Sequence, residues 1–292
     1  MSNLCGSMSF LRRLFPWVVL LSFALPLGAQ VKVSLVAPVT AVRPGETFEA
    51  ALRVEHAPTW HTYWINAGSG YATSLDWTLP EGWSAGAIKW PVPMVIHDYR
   101  GVVTGQGYEG VELLPVKITV PADAAIGSTV TLKAAADWLM CDPKQCVPGN
   151  AEVQLALTVT DGDPEPSAQA GDFTGIARPQ APPEGVSVRV ERAGAEGGGV
   201  RLRIAGAEAA GLAEPHFFTE NDFVAFDAKQ TVAVDGEGAL VLTLAVSPAA
   251  DPADQRLRGV LAFGEKGGRS GWSLDEPVVV VADGPEFAVT RA

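Results

Sequence analysis

The sequence predicts an all-β protein built as two β-sandwich domains in tandem. Three observations carry this. Short runs that alternate apolar and polar residues recur along the chain, as strands with one buried face do. Clusters such as Arg43-Pro44-Gly45 and Leu79-Pro80-Glu81-Gly82 punctuate them, and Pro and Gly supply the backbone angles that turns need. No long segment has helical periodicity; the best candidate, Ala207–Glu214, is short and carries a glycine. Composition agrees. A chain of 292 residues that is 47% hydrophobic and 18% charged is globular, with room for two domains.

The elements follow in order. Arg12 and Arg13 are the only charges before Lys32, and an apolar run from Leu14 to Ala29 succeeds them. Gly28 and Ala29 offer a small-residue cleavage site ahead of Gln30. This basic–apolar–small order predicts a signal peptide over residues 1–29. The run is 16 residues and contains Pro16 and Pro26, short of the roughly 20 that span a bilayer. The expectation is export, by the Sec or the twin-arginine route, with no stable membrane insertion after cleavage. Strand patterns then cover Val31–Ala37, Thr47–Glu55, Leu113–Val120, Thr129–Trp138 and Glu152–Thr160. From Asp161 to Gly185 the composition turns to Pro, Gly and acid, which reads as a linker. Strand patterns resume at Val186–Arg192, Val200–Ile204, Ala239–Val246, Arg256–Phe263 and Pro277–Val281. The expected domains are therefore 30–162 and 184–292, joined by 163–183.

Charge and aromatic content separate the two halves. Residues 30–160 hold 8 basic and 12 acidic side chains, net −4, whereas 161–292 hold 11 and 21, net −10. A chain of net charge −12 lacks the basic face that phosphate binding needs, so no nucleic-acid partner is expected. Six of the eight Trp lie between Trp60 and Trp138, so the first domain holds most of the material for a site. A carbohydrate platform of Trp60, Trp64, Trp77, Trp83 and Trp90 is one reading; a sandwich core is the commoner use of such residues. His56 and His61 are the only closely spaced histidines. On one strand they would face opposite ways, which favours a structural role.

Three cysteines exclude a disulfide-dense scaffold and a four-cysteine zinc site. Cys5 falls in the leader, leaving Cys141 and Cys146 with four residues between them. Strand patterns on both sides place the pair at a hairpin junction near the sheet edge. A structural staple in a non-enzymatic β-sandwich binding or assembly module is one reading, although chain entropy allows only about 2 kcal/mol for so small a ring. An exchangeable bridge is the other, because a disulfide over a short turn is open to attack and Lys144 would favour a thiolate. Spacing alone leaves both open. A soft Cu(I) site with Met140, Met94 or His97 is a third reading, at odds with an oxidising compartment.

Several motifs come in a distinctive order: His61-Thr-Tyr-Trp64, Leu75-Asp-Trp-Thr-Leu-Pro80, Ile88-Lys-Trp-Pro-Val-Pro93, Gly107-Tyr-Glu-Gly110, Leu114-Pro115, and Trp138-Leu-Met-Cys141 through Cys146-Val-Pro148. Over residues 31–160 this resembles the N-terminal periplasmic domain of the thiol–disulfide reductase DsbD, and more closely its ScsB-like branch. The resemblance implies two immunoglobulin-like β-sandwich domains and no organic cofactor or metal. It implies that Cys141 and Cys146 are the redox pair, with Cys146 forming the mixed disulfide and Cys141 resolving it. It also implies a cap loop over the pair, matched here by His97-Asp98-Tyr99-Arg100 through Gly107-Tyr108-Glu109. Tyr99 or Tyr108 would be the aromatic cover, and Asp98 would act on proton transfer at the sulfurs. The implied partners are thioredoxin-like periplasmic proteins and, for a chain without the family's membrane part, a separate membrane electron donor.

Overall fold

The computed structural model describes residues 30–193, 199–264 and 269–281. The expected signal peptide, with Cys5, Arg12 and Arg13, lies outside the described residues. Among the described residues no helix is long and apolar enough to cross a membrane.

Among the described residues the regular structure is almost all strand. The first group is β1 Val31–Val36, β2 Ala41–Val42, β3 Thr47–His56, β4 His61–Gly68, β5 Ser74–Thr78, β6 Ser84–Ile88, β7 Met94–His97, β8 Val103–Glu109, β9 Val111–Thr119, β10 Thr129–Cys141 and β11 Cys146–Val159. They form two sheets, β1-β3-β9-β6 and β2-β11-β10-β4-β8-β7, with β5 also paired to β10. The sheets close over one core. Leu35, Leu52 and Leu114 from the first meet Trp64, Ala134, Ala136, Trp138 and Val153 from the second. Phe48, Val116 and Ile118 meet Leu132 and Leu157 in a neighbouring cluster. A fully buried Leu or Val in such a core contributes about 1.5–3 kcal/mol. Trp60, Trp64 and Trp138 are buried, and Trp77, Trp83 and Trp90 pack against the same clusters. Most of the aromatic-rich stretch is thus core.

The second group is β12 Ser187–Ala193, β13 Val200–Ala205, β14 His216–Thr219, β15 Thr231–Val234, β16 Leu240–Leu244, β17 Arg256–Phe263 and β18 Ser270–Val281. Their order is β14-β17-β18-β12-β13-β16-β15. β18 serves two layers: Ser270–Pro277 pair antiparallel with β17, and Val278–Val281 pair parallel with β12. β13 shows the alternation plainly. Val200, Leu202 and Ile204 point inward onto Phe217, Leu257, Leu261 and Leu274, while Arg201 and Arg203 face outward to acids.

The segment between the groups is docked along most of its length. Its one short helix, α1 Ala170–Thr174, presents Phe173 to Val36, Ala51 and Leu113. Arg178 makes two bonds to the Glu49 carboxylate, at 2.8 and 3.2 Å. The Gln180 backbone pairs with Gly271 and Ser273 of β18 at 2.9 and 2.8 Å. Its Pro and Gly content suppresses regular structure, while Phe173, Ile176 and Arg178 supply the contacts that composition averages away. Direct contacts also join the two groups: Phe218 and Val260 enter the first core beside Trp64, and Arg269 pairs with the buried carboxylate of Glu112.

Candidate redox site

β10 and β11 form one long hairpin. They pair row by row from Thr129↔Thr158 to Cys141↔Cys146. The four-residue turn is held by Asp142, whose Oδ1 accepts from the backbone N–H of Lys144 and Gln145 at 2.8 and 2.9 Å. The Asp142 N–H donates to the Gln145 carbonyl at 2.9 Å. The next row is therefore a non-hydrogen-bonded pair, the type in which facing side chains lie closest. Cys141 and Cys146 occupy it with Cα atoms 4.1 Å apart and are joined as a disulfide.

The two sulfurs have unlike surroundings. β10 lies inside its sheet, and its end is covered by β4 through the pairing Cys141↔His61. Cys141 is 2% exposed and packs on Tyr63, Ala67 and Leu139. On the other side β2 reaches only Thr158 and Val159 of β11. The cysteine end of β11 is thus an outer flank, and Cys146 is exposed. The expected position near a sheet edge holds for Cys146 alone.

Tyr63 completes the environment of Cys141. Its hydroxyl donates to Cys141 Sγ at 3.1 Å, and His61 Nε2 lies 3.3 Å from the same oxygen. With the phenol hydrogen committed to sulfur, the Nε2–H tautomer of His61 donates to the phenol oxygen. Burial raises the Tyr63 pKa above its ordinary value, so the group remains a donor. Burial, with a smaller push from His56, lowers the His61 pKa to about 4, so the ring is neutral near pH 7. His56 and His61 lie on different strands, β3 and β4. His56 donates from Nδ1 to the Gly110 carbonyl at 2.8 Å and accepts from the Thr62 hydroxyl at 2.9 Å, a structural arrangement.

The expected cap residues fall in different places. Asp98, Tyr99 and Arg100 form the turn of the β7–β8 hairpin. The Asp98 carboxylate accepts from the N–H of Arg100 and Val102 and from Arg100 Nε, at 2.8, 3.0 and 2.9 Å. These bonds commit it to bracing the turn, which lowers its pKa. Tyr99 is 75% exposed, with the Arg100 guanidinium over its ring. His97 ends β7 and faces the second group of strands, where its proximity adds to the burial that lowers the His216 pKa to about 4. Tyr108 departs from the expectation. It is 1% exposed, stacks on Trp90 and donates to the Pro91 carbonyl at 2.8 Å. It is a core residue, the last of four consecutive buried positions of β8 packed between β4 and β7, and its ring lies against Trp90 rather than the sulfurs.

Reading along the chain assigned no role at the sulfurs to His61 or Tyr63, although both lie in the quoted motif His61-Thr-Tyr-Trp64. The signal was present in that motif, but the lateral pairing that brings it to Cys141 spans 80 positions. Among the described residues no group of three or more His, Cys, Asp and Glu is arranged to hold a metal. In the disulfide state neither cysteine offers a thiolate to Cu(I). A cleft of about 590 Å³, lined by Trp64, Trp90, Lys89, Lys117 and Arg178 among others, includes neither cysteine.

An exposed cysteine joined to a buried, hydrogen-bonded one at the end of a sandwich hairpin suits a β-sandwich thiol–disulfide interchange domain, and the family match agrees. Residues 31–158 match the family described as thiol:disulfide interchange protein DsbD, N-terminal; this part of the chain is a DsbD N-terminal domain. Among solved structures, the N-terminal periplasmic domain of ScsB from Proteus mirabilis aligns over 86% of this chain and 95% of its own, with TM-score 0.58 and 15% identity. That likeness covers both groups of strands and establishes a shared immunoglobulin-like fold. A protein of unknown function from Porphyromonas gingivalis aligns over 85% and 99% at 12% identity, with TM-score 0.25. No curated protein matches the sequence.

Proposed function

We propose that this is an exported thiol–disulfide exchange protein that passes reducing equivalents through Cys141 and Cys146 to periplasmic clients or redox carriers. The observation that carries the proposal is the asymmetry of the pair. A donor thiolate meets Cys146 first, because it is the exposed residue of the pair and Cys141 is buried. Its sulfur bonds to Cys146, the Cys141–Cys146 bond breaks, and Cys141 leaves as a thiolate that accepts the Tyr63 hydroxyl. The donor's second thiolate then attacks the donor sulfur of the mixed disulfide, so Cys146 leaves as a thiolate, the donor departs as its own disulfide and the pair is left as the dithiol. In the forward direction the Cys146 thiolate attacks a client disulfide, one client sulfur leaves as thiolate, and Cys141 resolves the mixed disulfide. The low exposure of Cys141 keeps it for the resolving step.

The redox unit in this reading is 30–162, with 163–183 connecting it to a supporting domain, 184–292. Residues 1–29 direct export. The partners in this reading are thioredoxin-like proteins and a membrane electron donor. The turn from His97 to Val102, with Tyr99 at its tip, is the cover that a docking partner displaces.

The test uses single-cysteine variants and a thioredoxin-fold protein as probe. Cys141→Ala is expected to accumulate a mixed disulfide through Cys146, and Cys146→Ala to abolish transfer. Full reductase activity in both variants, or a wild-type disulfide inert towards every thioredoxin-fold donor, overturns the proposal and leaves a structural staple.

A further inference from the structure

We infer that the second group of strands positions Tyr63 on Cys141, with Gln106 and Phe226 as the positioning residues. This rests on the reading of Cys141–Cys146 as an exchanging pair and assigns that pair a control outside its own sandwich.

The path is a chain of close contacts. β4 and β8 pair at Tyr63↔Gly107 and again at Gly68↔Gly105. Residues 64–67 of β4 therefore oppose the single residue Gln106. A bulge of that size exposes backbone groups that need partners. Gln106, itself buried, supplies one: its Nε2 donates to the Asn66 carbonyl at 2.9 Å. The same amide grips β14 at Thr219, donating to its carbonyl at 3.2 Å and accepting from its N–H at 3.1 Å. One side chain thus ties the bulge to the C-terminal strands. Phe226 closes on the far side. Its ring lies so near Gly68 that a Cβ there would sit 2.5 Å from it, and Gly68 has φ +71°, which a side chain would strain.

The Tyr63 ring is the next link. A Cβ on Gly70 would lie 2.6 Å from the ring, and one on Gly105 would lie 2.8 Å from it. The ring is therefore held between two glycine backbones. Gly70 follows Gly68 by two residues, so the turn that Phe226 presses is the turn that grips Tyr63. Ser69 N–H, between them, donates to the Thr104 carbonyl of β8 at 3.2 Å. At the end of the path the Tyr63 hydroxyl meets Cys141 Sγ. Residues 219 and 226 lie roughly 80 positions from Cys141 in sequence yet are separated from it by Gln106, the 68–70 turn and one ring.

The experiment uses the full chain and dithiothreitol as the reductant. Phe226 is partly exposed, so its truncation is compatible with folding. Phe226→Ala is expected to slow disulfide reduction about two- to threefold, the low end of couplings within one contact network, because its effect reaches Tyr63 through the Gly68–Gly70 turn. It is also expected to raise the Cys141 thiol pKa, read in a Cys146→Ala background. Phe226→Leu, which still fills the contact, restores both. In a Tyr63→Phe background Phe226→Ala has no further effect on rate, because the hydroxyl it positions is gone. If Phe226→Ala fails to fold, Phe226→Val is measured with the same expectations. An unchanged rate and thiol pKa, or an equal slowing in the Tyr63→Phe background, overturns the inference. A wild-type disulfide that dithiothreitol reduces but no thioredoxin-fold protein does overturns the exchange proposal instead.

Discussion

Tyr63→Phe isolates the chemistry of the pair. The substitution removes one oxygen from a side chain that is 3% exposed and leaves its ring between Gly70 and Gly105. In the disulfide the hydroxyl meets a neutral sulfur, a weak acceptor. After bond cleavage it meets a thiolate, and hydrogen bonds to ionised groups contribute about 1.5–3 kcal/mol. The difference, about 2 kcal/mol, favours the Cys141 thiolate and corresponds to about 1.5 pKa units. Thiol–disulfide exchange transmits roughly half of such a change to the rate. Reduction by dithiothreitol should therefore slow about fivefold in Tyr63→Phe, followed by alkylation and mass. The Cys141 thiolate, titrated by its ultraviolet absorbance in a Cys146→Ala background, should form about 1.5 units higher. An unchanged rate with an unchanged Cys141 pKa would refute the idea that this hydroxyl stabilises the leaving thiolate.

Acidification should destabilise the fold between about pH 6.5 and pH 4. His61 and His216 both have folded pKa values lowered to about 4, chiefly by burial, against about 6.5 unfolded. In that window the unfolded chain binds protons the folded chain refuses, so stability is full above it and lost as pH falls through it. Glu112 runs the opposite way, its pKa raised chiefly by burial. The melting temperature across that range checks the sign, and a flat profile would contradict it. Arg269→Met strands the buried Glu112 carboxylate and removes the bond to the Val92 carbonyl at 2.9 Å. It should cost about 3–5 kcal/mol in urea unfolding, and adding Glu112→Gln should recover part. Gly149→Ala would place a Cβ 2.5 Å from the Trp138 ring across the hairpin. It should cost about 1–3 kcal/mol, visible as a lower denaturation midpoint with altered tryptophan fluorescence.

Long alternating strands were legible; β5, which alternates over only five residues, was not, and strands without a period of two were missed. β1, β3, β9, β10 and β11 each follow a run with one apolar face, as do β12, β13, β16 and β17. β4 buries His61, Thr62, Tyr63 and Trp64 in succession, which erases the period of two. β8 contains two glycines and packs against strands on both sides. β14 is four residues with three buried in a row. The cysteine hairpin was readable because alternation resumes on each side of a short Asp-Pro turn. The partner of Cys141 was not, because the His61↔Cys141 pairing is a property of sheet order, which no local pattern encodes. Tyr108 was placed over the sulfurs by analogy of segment. Its position in β8, with an inward-facing ring, puts it in the core instead.

A courier of electrons has to be the same object when loaded and when empty. In this hairpin the thirteen ladder rows and the Asp142 turn already hold the two strand ends together. The disulfide closes a ring that the backbone has closed beforehand, so it adds at most about 2 kcal/mol of chain-entropy stabilisation. Fold stability should therefore depend little on the oxidation state of the pair. For the proposed exchange, this means that reduction removes little of what holds the hairpin together, and a docking partner would meet much the same sheet end in both states.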